Sequence, residues 1–206
     1  MEVKLKSLFF SLALLFIGHL AAQPLSGTYT VGSGGTYSTL TAAVADLTSK
    51  GVSNPVTFKL KTGTFNEQIS LPAITGASTT NVITLEAESG IASDVILSFA
   101  PTGSNNYIIR FDNASFITIR NLSLTTTGAT YSRAIHAINN VNNLTFENLT
   151  ISLPVTTSVT EDHTAILARP TLSTNIRFLN NTITGGSHGI IHVGNNANRS
   201  PGTVIT

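Results

Sequence analysis

Apolar and polar residues alternate in short runs along most of the chain, and one such run comes back twice. Residues 117–124 read apolar, polar, apolar, any, Asn, and then a second short alternation; residues 144–151 and 176–183 repeat that order at spacings of 27 and 32 residues. Ile117/Ile119, Leu144/Phe146 and Ile176/Phe178 fall on one face of a strand, and the parity shifts at Asn121, Asn148 and Asn180. A parity shift is a bend. Asn suits a bend because it tolerates left-handed backbone angles and its amide can bond to nearby backbone. Repeats of this length, each holding only short strands and turns, predict a solenoid built of β-structure.

A second recurrent segment precedes each Asn-cornered strand, at residues 107–111, 134–138, 165–168 and 189–193. Each coil therefore has two recurrent faces and a third of variable length, with insertions expected at 153–160 and 169–173. Coil starts at Val56, Val82, Ile117, Leu144, Ile176 and Val204 are 26, 35, 27, 32 and 28 residues apart, the size of one three-sided turn. An antiparallel β-sandwich would not require the Asn corners to recur in step, so the expected fold is all-β, a parallel β-helix. The period changes once. Leu40, Ala43, Val44 and Leu47 fall at i, i+3, i+4 and i+7 between a Ser38/Thr39 cap and Lys50-Gly51, which predicts an amphipathic helix over about 39–49. Such a helix is suited to covering the N-terminal end of the coil interior.

Composition adds three constraints. Only 10% of the 206 residues are charged, while 41% are hydrophobic and polarity comes largely from Thr, Ser and Asn, which is sheet-forming rather than disordered. A net charge of +1 gives nucleic acid no electrostatic footing. The absence of cysteine excludes disulfides and thiol catalysis. At the start, Lys4 and Lys6 precede an apolar run ending at Leu20 and the small pair Ala21-Ala22, the pattern of a secretory signal peptide over residues 1–22. The domain organisation expected is that leader, then one β-helix domain over 23–206 with coils from 56, secreted or at the cell surface, without a membrane span once the leader is removed. Val204-Ile205-Thr206 starts a further strand in register, so more coils or domains are expected beyond it. Asn113, Asn121, Asn143, Asn148, Asn180 and Asn198 match the glycosylation pattern, which an Asn- and Thr-rich chain also produces by chance.

The segment Gly32-Ser33-Gly34-Gly35-Thr36-Tyr37-Ser38-Thr39-Leu40-Thr41-Ala42-Ala43-Val44, followed by Phe58-Lys59-Leu60-Lys61-Thr62-Gly63-Thr64-Phe65-Asn66-Glu67, resembles the N-terminal coil of pectin methylesterases and of the wider pectin lyase-like superfamily. The repeats after Phe116 are similar to the right-handed parallel β-helix repeat of that superfamily and of many bacterial surface proteins. The resemblance implies a right-handed β-helix over nearly the whole mature chain. The esterase's paired Asp segments are missing between Phe111 and Thr206. Glu161-Asp162-His163 and Gly186-Ser187-His188-Gly189 are similar to the Asp-Asp and Gly-His-Gly segments of polygalacturonases, but His163 stands where the second Asp belongs, and glycoside hydrolysis needs two positioned carboxylates. The lyases of this fold hold calcium with acidic clusters, which a chain of 10 acidic residues rarely forms.

These residues are therefore expected to carry no complete catalytic set, no metal site and no cofactor. The partner expected is an extracellular polysaccharide, bound through amides, hydroxyls and an occasional aromatic platform. Tyr107 and Tyr131 are the platform candidates, with Glu161, Asp162, His163 and His188 as polar candidates. The bland reading of Glu161-Asp162-His163 is a solvated loop; Glu86 and Glu88 read likewise as a solvated pair, and His136, His188 and His192 as structural or exposed. The alternative is the N-terminal part of a polysaccharide esterase, lyase or hydrolase whose site lies beyond residue 206.

Overall fold

The computed structural model describes residues 23–194 and 202–206; the expected leader lies outside them. The chain opens with β1 (Leu25–Val31), crosses the end of the stack as α1 (Leu40–Lys50) and then winds. A first full coil consists of β2 (Val52–Leu60), β3 (Gly63–Phe65) and β4 (Ile69–Leu71), and a second of β5 (Ile83–Ala87), β6 (Val95–Phe99) and β7 (Ile109–Asp112). Then follow β8 (Ser115–Arg120), β9 (Ser123–Thr126), β10 (Ile135–Glu147), β11 (Thr150–Ser152), β12 (Thr164–Leu179), β13 (Thr182–Thr184), β14 (His188–His192) and β15 (Val204–Ile205). Every pair among these strands is parallel. Face 1 stacks β1, β2, β5, β8, the second halves of β10 and β12, and β15. Face 2 stacks β3, β6, β9, β11 and β13. Face 3 stacks β4, β7, the first halves of β10 and β12, and β14. The fold is a right-handed parallel β-helix, as expected, wound in the sense that parallel crossover connections favour.

Two boundaries differ from the sequence reading. The stack begins one rung earlier than Val56, because β1 pairs along β2. β1 alternates throughout, at Leu25, Gly27, Tyr29 and Val31; the register shift between Leu25 and Gly27 puts its extra residues on β2, and α1 separates this strand from the evenly spaced coils. Residues 169–173 form no loop. They continue β12 through the corner, and Asn139 opposite Pro170 with Asn140 opposite Leu172 leaves Thr171 as one extra residue, a bulge.

The interior is a set of columns. Val56, Ile83, Ile117, Leu144 and Ile176 form one, and Phe58, Leu85, Ile119, Phe146 and Phe178 the next, all buried. Phe146 lies edge-on to Phe111 at 5.3 Å and stacks on Phe178 at 5.5 Å. Each such side chain contributes about 1.5–3 kcal/mol by leaving water, but only if a rung above and a rung below cover it. At the N-terminal end that cover is α1, whose Leu40, Ala43, Val44 and Leu47 are buried. Thr39 caps the helix by accepting from the Ala42 N–H. The first turn has no acidic residue of its own. Glu67, 27 positions on, supplies the carboxylate instead, accepting from the Leu40 N–H (3.0 Å), the Thr41 N–H (2.7 Å) and the Thr41 hydroxyl (2.6 Å).

The corners explain the asparagines. Asn121, Asn148 and Asn180 close the turn from face 1 to face 2 with φ of 53°, 51° and 53°, and the Asn148 amide donates to Asn121 Oδ1 at 3.2 Å. At the corner from face 3 to face 1, Asn143 and Asn175 are left-handed too, and the Asn175 amide donates to Asn143 Oδ1 at 3.0 Å. A corner Asn followed by an inward apolar residue and an outward hydroxyl, as in Asn148-Leu149-Thr150, spells the glycosylation pattern for structural reasons. Ladder positions do not hide every such Asn, since Asn113, Asn148 and Asn180 are exposed. Replacing Asn148 by Ala is expected to lower stability by about 2 kcal/mol, from left-handed strain plus a lost hydrogen bond, and replacing it by Gly by about half that. Urea denaturation of the two variants measures the difference, and equal losses would show that the corner conformation is not what Asn supplies.

Candidate functional site

A groove of about 440 Å³ separates α1 from the outer surface of face 3. Its apolar floor is Val44, Ile69 and Pro72, and Thr41, Thr48, Gln68 and Ser70 bring polar groups to its sides. Arg110 and Asp112, both on β7, stand at its edge. Arg110 is held from three directions. Its Nε donates to Ser70 Oγ at 3.0 Å, its outer nitrogen lies 4.0 Å from Asp112 Oδ2, and its guanidinium sits over the Tyr107 ring at 5.3 Å. The next rung places His136 opposite Arg110.

Beyond that column the loops leading into face 3 are knotted together. Asn106 accepts the Arg133 N–H at 2.9 Å and donates to the Asp162 carbonyl at 3.0 Å; the Ser132 hydroxyl meets His163 Nδ1 at 2.9 Å; Ser187 donates its N–H to the His163 carbonyl and its hydroxyl to that of Thr160. The Arg133 guanidinium is buried beneath this knot, donating to the Glu161 carbonyl and lying 4.0 Å from Asp162 Oδ1. Burial pulls its pKa below the usual range, against the pull of Asp162 and Glu161. Glu161 pairs through its own carboxylate with Arg169. The cluster fixes loop to loop through buried polar bonds, and the solvated-loop reading fails for His163, which is 5% exposed, while the Glu161 and Asp162 side chains, 42% and 47% exposed, do face solvent.

Of the residues expected to touch a glycan, Tyr107 offers no open face: it is buried, its ring lies under Arg110 and its hydroxyl donates to Asn105. His163 is likewise committed to Ser132. Tyr131 is half-buried and rests against Gly103, where a Cβ would come within 3.0 Å of its ring. Glu161, Asp162 and half-buried His188 reach the surface beside the knot, His188 with Nδ1 against Ser187 Oγ. The three histidines of face 3 fall in different columns: His136 opposite Arg110 and Leu167, His188 opposite Thr164, and His192 opposite Ala168, edge-on to the Phe178 ring. Arg110 and the α1 groove were missed by sequence reading, since helix, β4 and β7 come together only through the stack. Glu86 is also no solvated group: the next rungs place Arg120 at 2.6 Å and Lys59 at 3.9 Å from it. Among the described residues no group of three or more His, Asp or Glu is placed to hold a metal ion, and no helix is long and apolar enough to cross a membrane.

No known family model matches the chain, and no curated protein matches it. Among solved structures it is similar to the pectin methylesterase from Aspergillus niger in deglycosylated form, with a TM-score of 0.51 and 15% identity over 84% of this chain and 62% of that one. The same enzyme in a penultimately deglycosylated form gives a TM-score of 0.49 and 16% identity over 84% and 60%. The chain thus shares the parallel β-helix fold of that esterase, and spans less than two thirds of its length. At this identity the likeness is one of fold.

The site also sets a pH response. Burial, and then the charges of Arg133 and Arg110, push the pKa of His136 down to about 4 from 6.5. Between those values the unfolded chain binds a proton that the folded chain does not, so stability is lost as pH falls through that window. His192, lowered by burial, adds in the same direction. Replacing His136 by Gln is expected to reduce the drop in urea midpoint between about pH 7 and about pH 4.5; an undiminished drop would show that other groups set it.

Proposed function

We propose that the chain is a secreted or cell-surface β-helix protein that binds polysaccharide and carries no complete catalytic set in these residues. The observation that supports this best is the α1 groove: an apolar floor, hydroxyls and an amide along its sides, and one positioned guanidinium at its edge. Sugars present that combination in reverse, with apolar C–H faces and a rim of hydroxyls. The groups nearby do not make up the usual hydrolytic pair, because Asp112 lies beside Arg110, Glu161 pairs with Arg169, and Asp162 bonds back to Asn106.

A second reading has a specific point in its favour. The fold likeness extends over 62% of a pectin methylesterase, so the chain could be the N-terminal part of a polysaccharide-degrading enzyme with its chemistry in later coils. Product release from esterified or unesterified polyuronates by the full-length protein, abolished by changing acidic residues downstream of Thr206, would favour that reading.

The binding reading is tested by retardation in gels containing soluble polysaccharides. Retention is expected on at least one polymer, and replacing Arg110 by Ala is expected to weaken it about tenfold, the worth of a charge-assisted hydrogen bond. No retention of the wild-type protein on any plant or bacterial polymer would overturn the proposal.

A further inference from the structure

The corner between faces 3 and 1 contains an anomaly. In successive rungs it is occupied by Phe116, Asn143, Asn175 and Gly202, at φ of 60°, 52°, 55° and 74°. Asn and Gly tolerate that left-handed conformation, whereas a bulky side chain meets its own carbonyl there and is a true outlier. The lower rungs show that this corner is built without strain when Asn or Gly fills it. Phe116 is half-buried at that strained position and lines a groove of about 390 Å³ on the outer surface of face 1. Strain held in place by a rigid scaffold beside a groove points to use of the side chain.

The rest of that groove is polar. Thr118 and Thr145 stand one above the other with hydroxyls that have no hydrogen-bond partner among the described residues, and Arg177 follows in the same column. Arg177 is exposed and makes no ion pair among the described residues, unlike Arg110, Arg120, Arg133 and Arg169. The groove runs along the coil axis from Val82 to Val204, four rung spacings or roughly 19 Å. β5, β8 and the second halves of β10 and β12, which form most of its floor, are each paired on both sides, so no backbone edge lies along that stretch for an added peptide strand. A single unpaired arginine in the groove among the described residues gives no footing for nucleic acid.

We propose that this groove is a second, separate binding site for a linear acidic glycan. The Phe116 ring packs on the apolar face of one sugar, Thr118 and Thr145 bond to sugar hydroxyls, and Arg177, two rungs or roughly 10 Å further along, takes a carboxylate. The proposal rests on the reading that the chain handles polysaccharide, and it assigns a surface distinct from the α1 groove.

The test is gel retardation with alginate as the acidic glycan and hydroxyethyl cellulose as a neutral one, alongside urea denaturation. Phe116→Asn is expected to have an equal or higher urea midpoint, because Asn fits the corner, yet to lose about tenfold in alginate affinity; Phe116→Tyr, which keeps the ring, is expected to bind as wild type. Arg177→Gln is expected to weaken alginate binding about tenfold without changing retention on the neutral polymer. Wild-type alginate binding by folded Phe116→Asn and Arg177→Gln would overturn the assignment. If Arg110→Ala alone then weakened binding, the polysaccharide reading would stand while this groove lost its role; no retention of the wild type on either polymer, with the other polysaccharides also failing, would remove both.

Discussion

No rung of this molecule can bury its inward row alone. Ile117 and Ile119 are covered only because Ile83 and Leu85 lie in register on one side and Leu144 and Phe146 on the other, and the same strands satisfy one another's backbone groups. Everything else follows from that constraint. Residues in equivalent positions form columns, so the interior repeats in chemistry as well as in shape, and the corners must repeat in conformation or the columns would drift apart. Left-handed Asn at successive corners fixes the bend angle rung after rung, and the amide-to-amide bonds between them add a polar seam outside the apolar one.

Much of this was legible in the residues themselves. The Asn corners, the alternation into and out of the interior, and α1 with its cap and stop all rest on neighbours a few positions apart. What could not be read depends on register between coils. The pairing of Glu86 with Arg120 joins residues 34 apart, and it exists only because β5 and β8 align Glu86 with Arg120. The burial of His163 depends on loops from three coils meeting, and the α1 groove on a helix lying beside two rungs. Interruptions concealed the remainder: α1 stands between β1 and the coil it stacks on, and Pro170 with the extra Thr171 made a continuous strand look like an insertion.

The N-terminal motif shared in outline with pectin methylesterases also gains a physical meaning. Its two halves are joined by the Glu67 carboxylate at the start of α1, so the pattern from Gly32 to Glu67 encodes how an end of the coil is closed. A closure device says nothing about chemistry on the faces. That is consistent with a chain that has the esterase's fold at 15% identity while the carboxylates beside face 3 are engaged by arginines and amides.

The uneven spacing of the coils has one more implication. Extra residues collect at two corners, residues 153–163 leading into face 3 beside the knot at Asn106 and Arg133 and residues 72–82 leading from β4 into β5, while the turn at Asn121, Asn148 and Asn180 is the same in three successive coils. Additions at these corners leave the interior columns undisturbed. A descendant sequence could therefore acquire a new recognition loop there in one step, and the tolerance of the scaffold to such grafts would be set by the loops' mutual hydrogen bonds rather than by the packing beneath them.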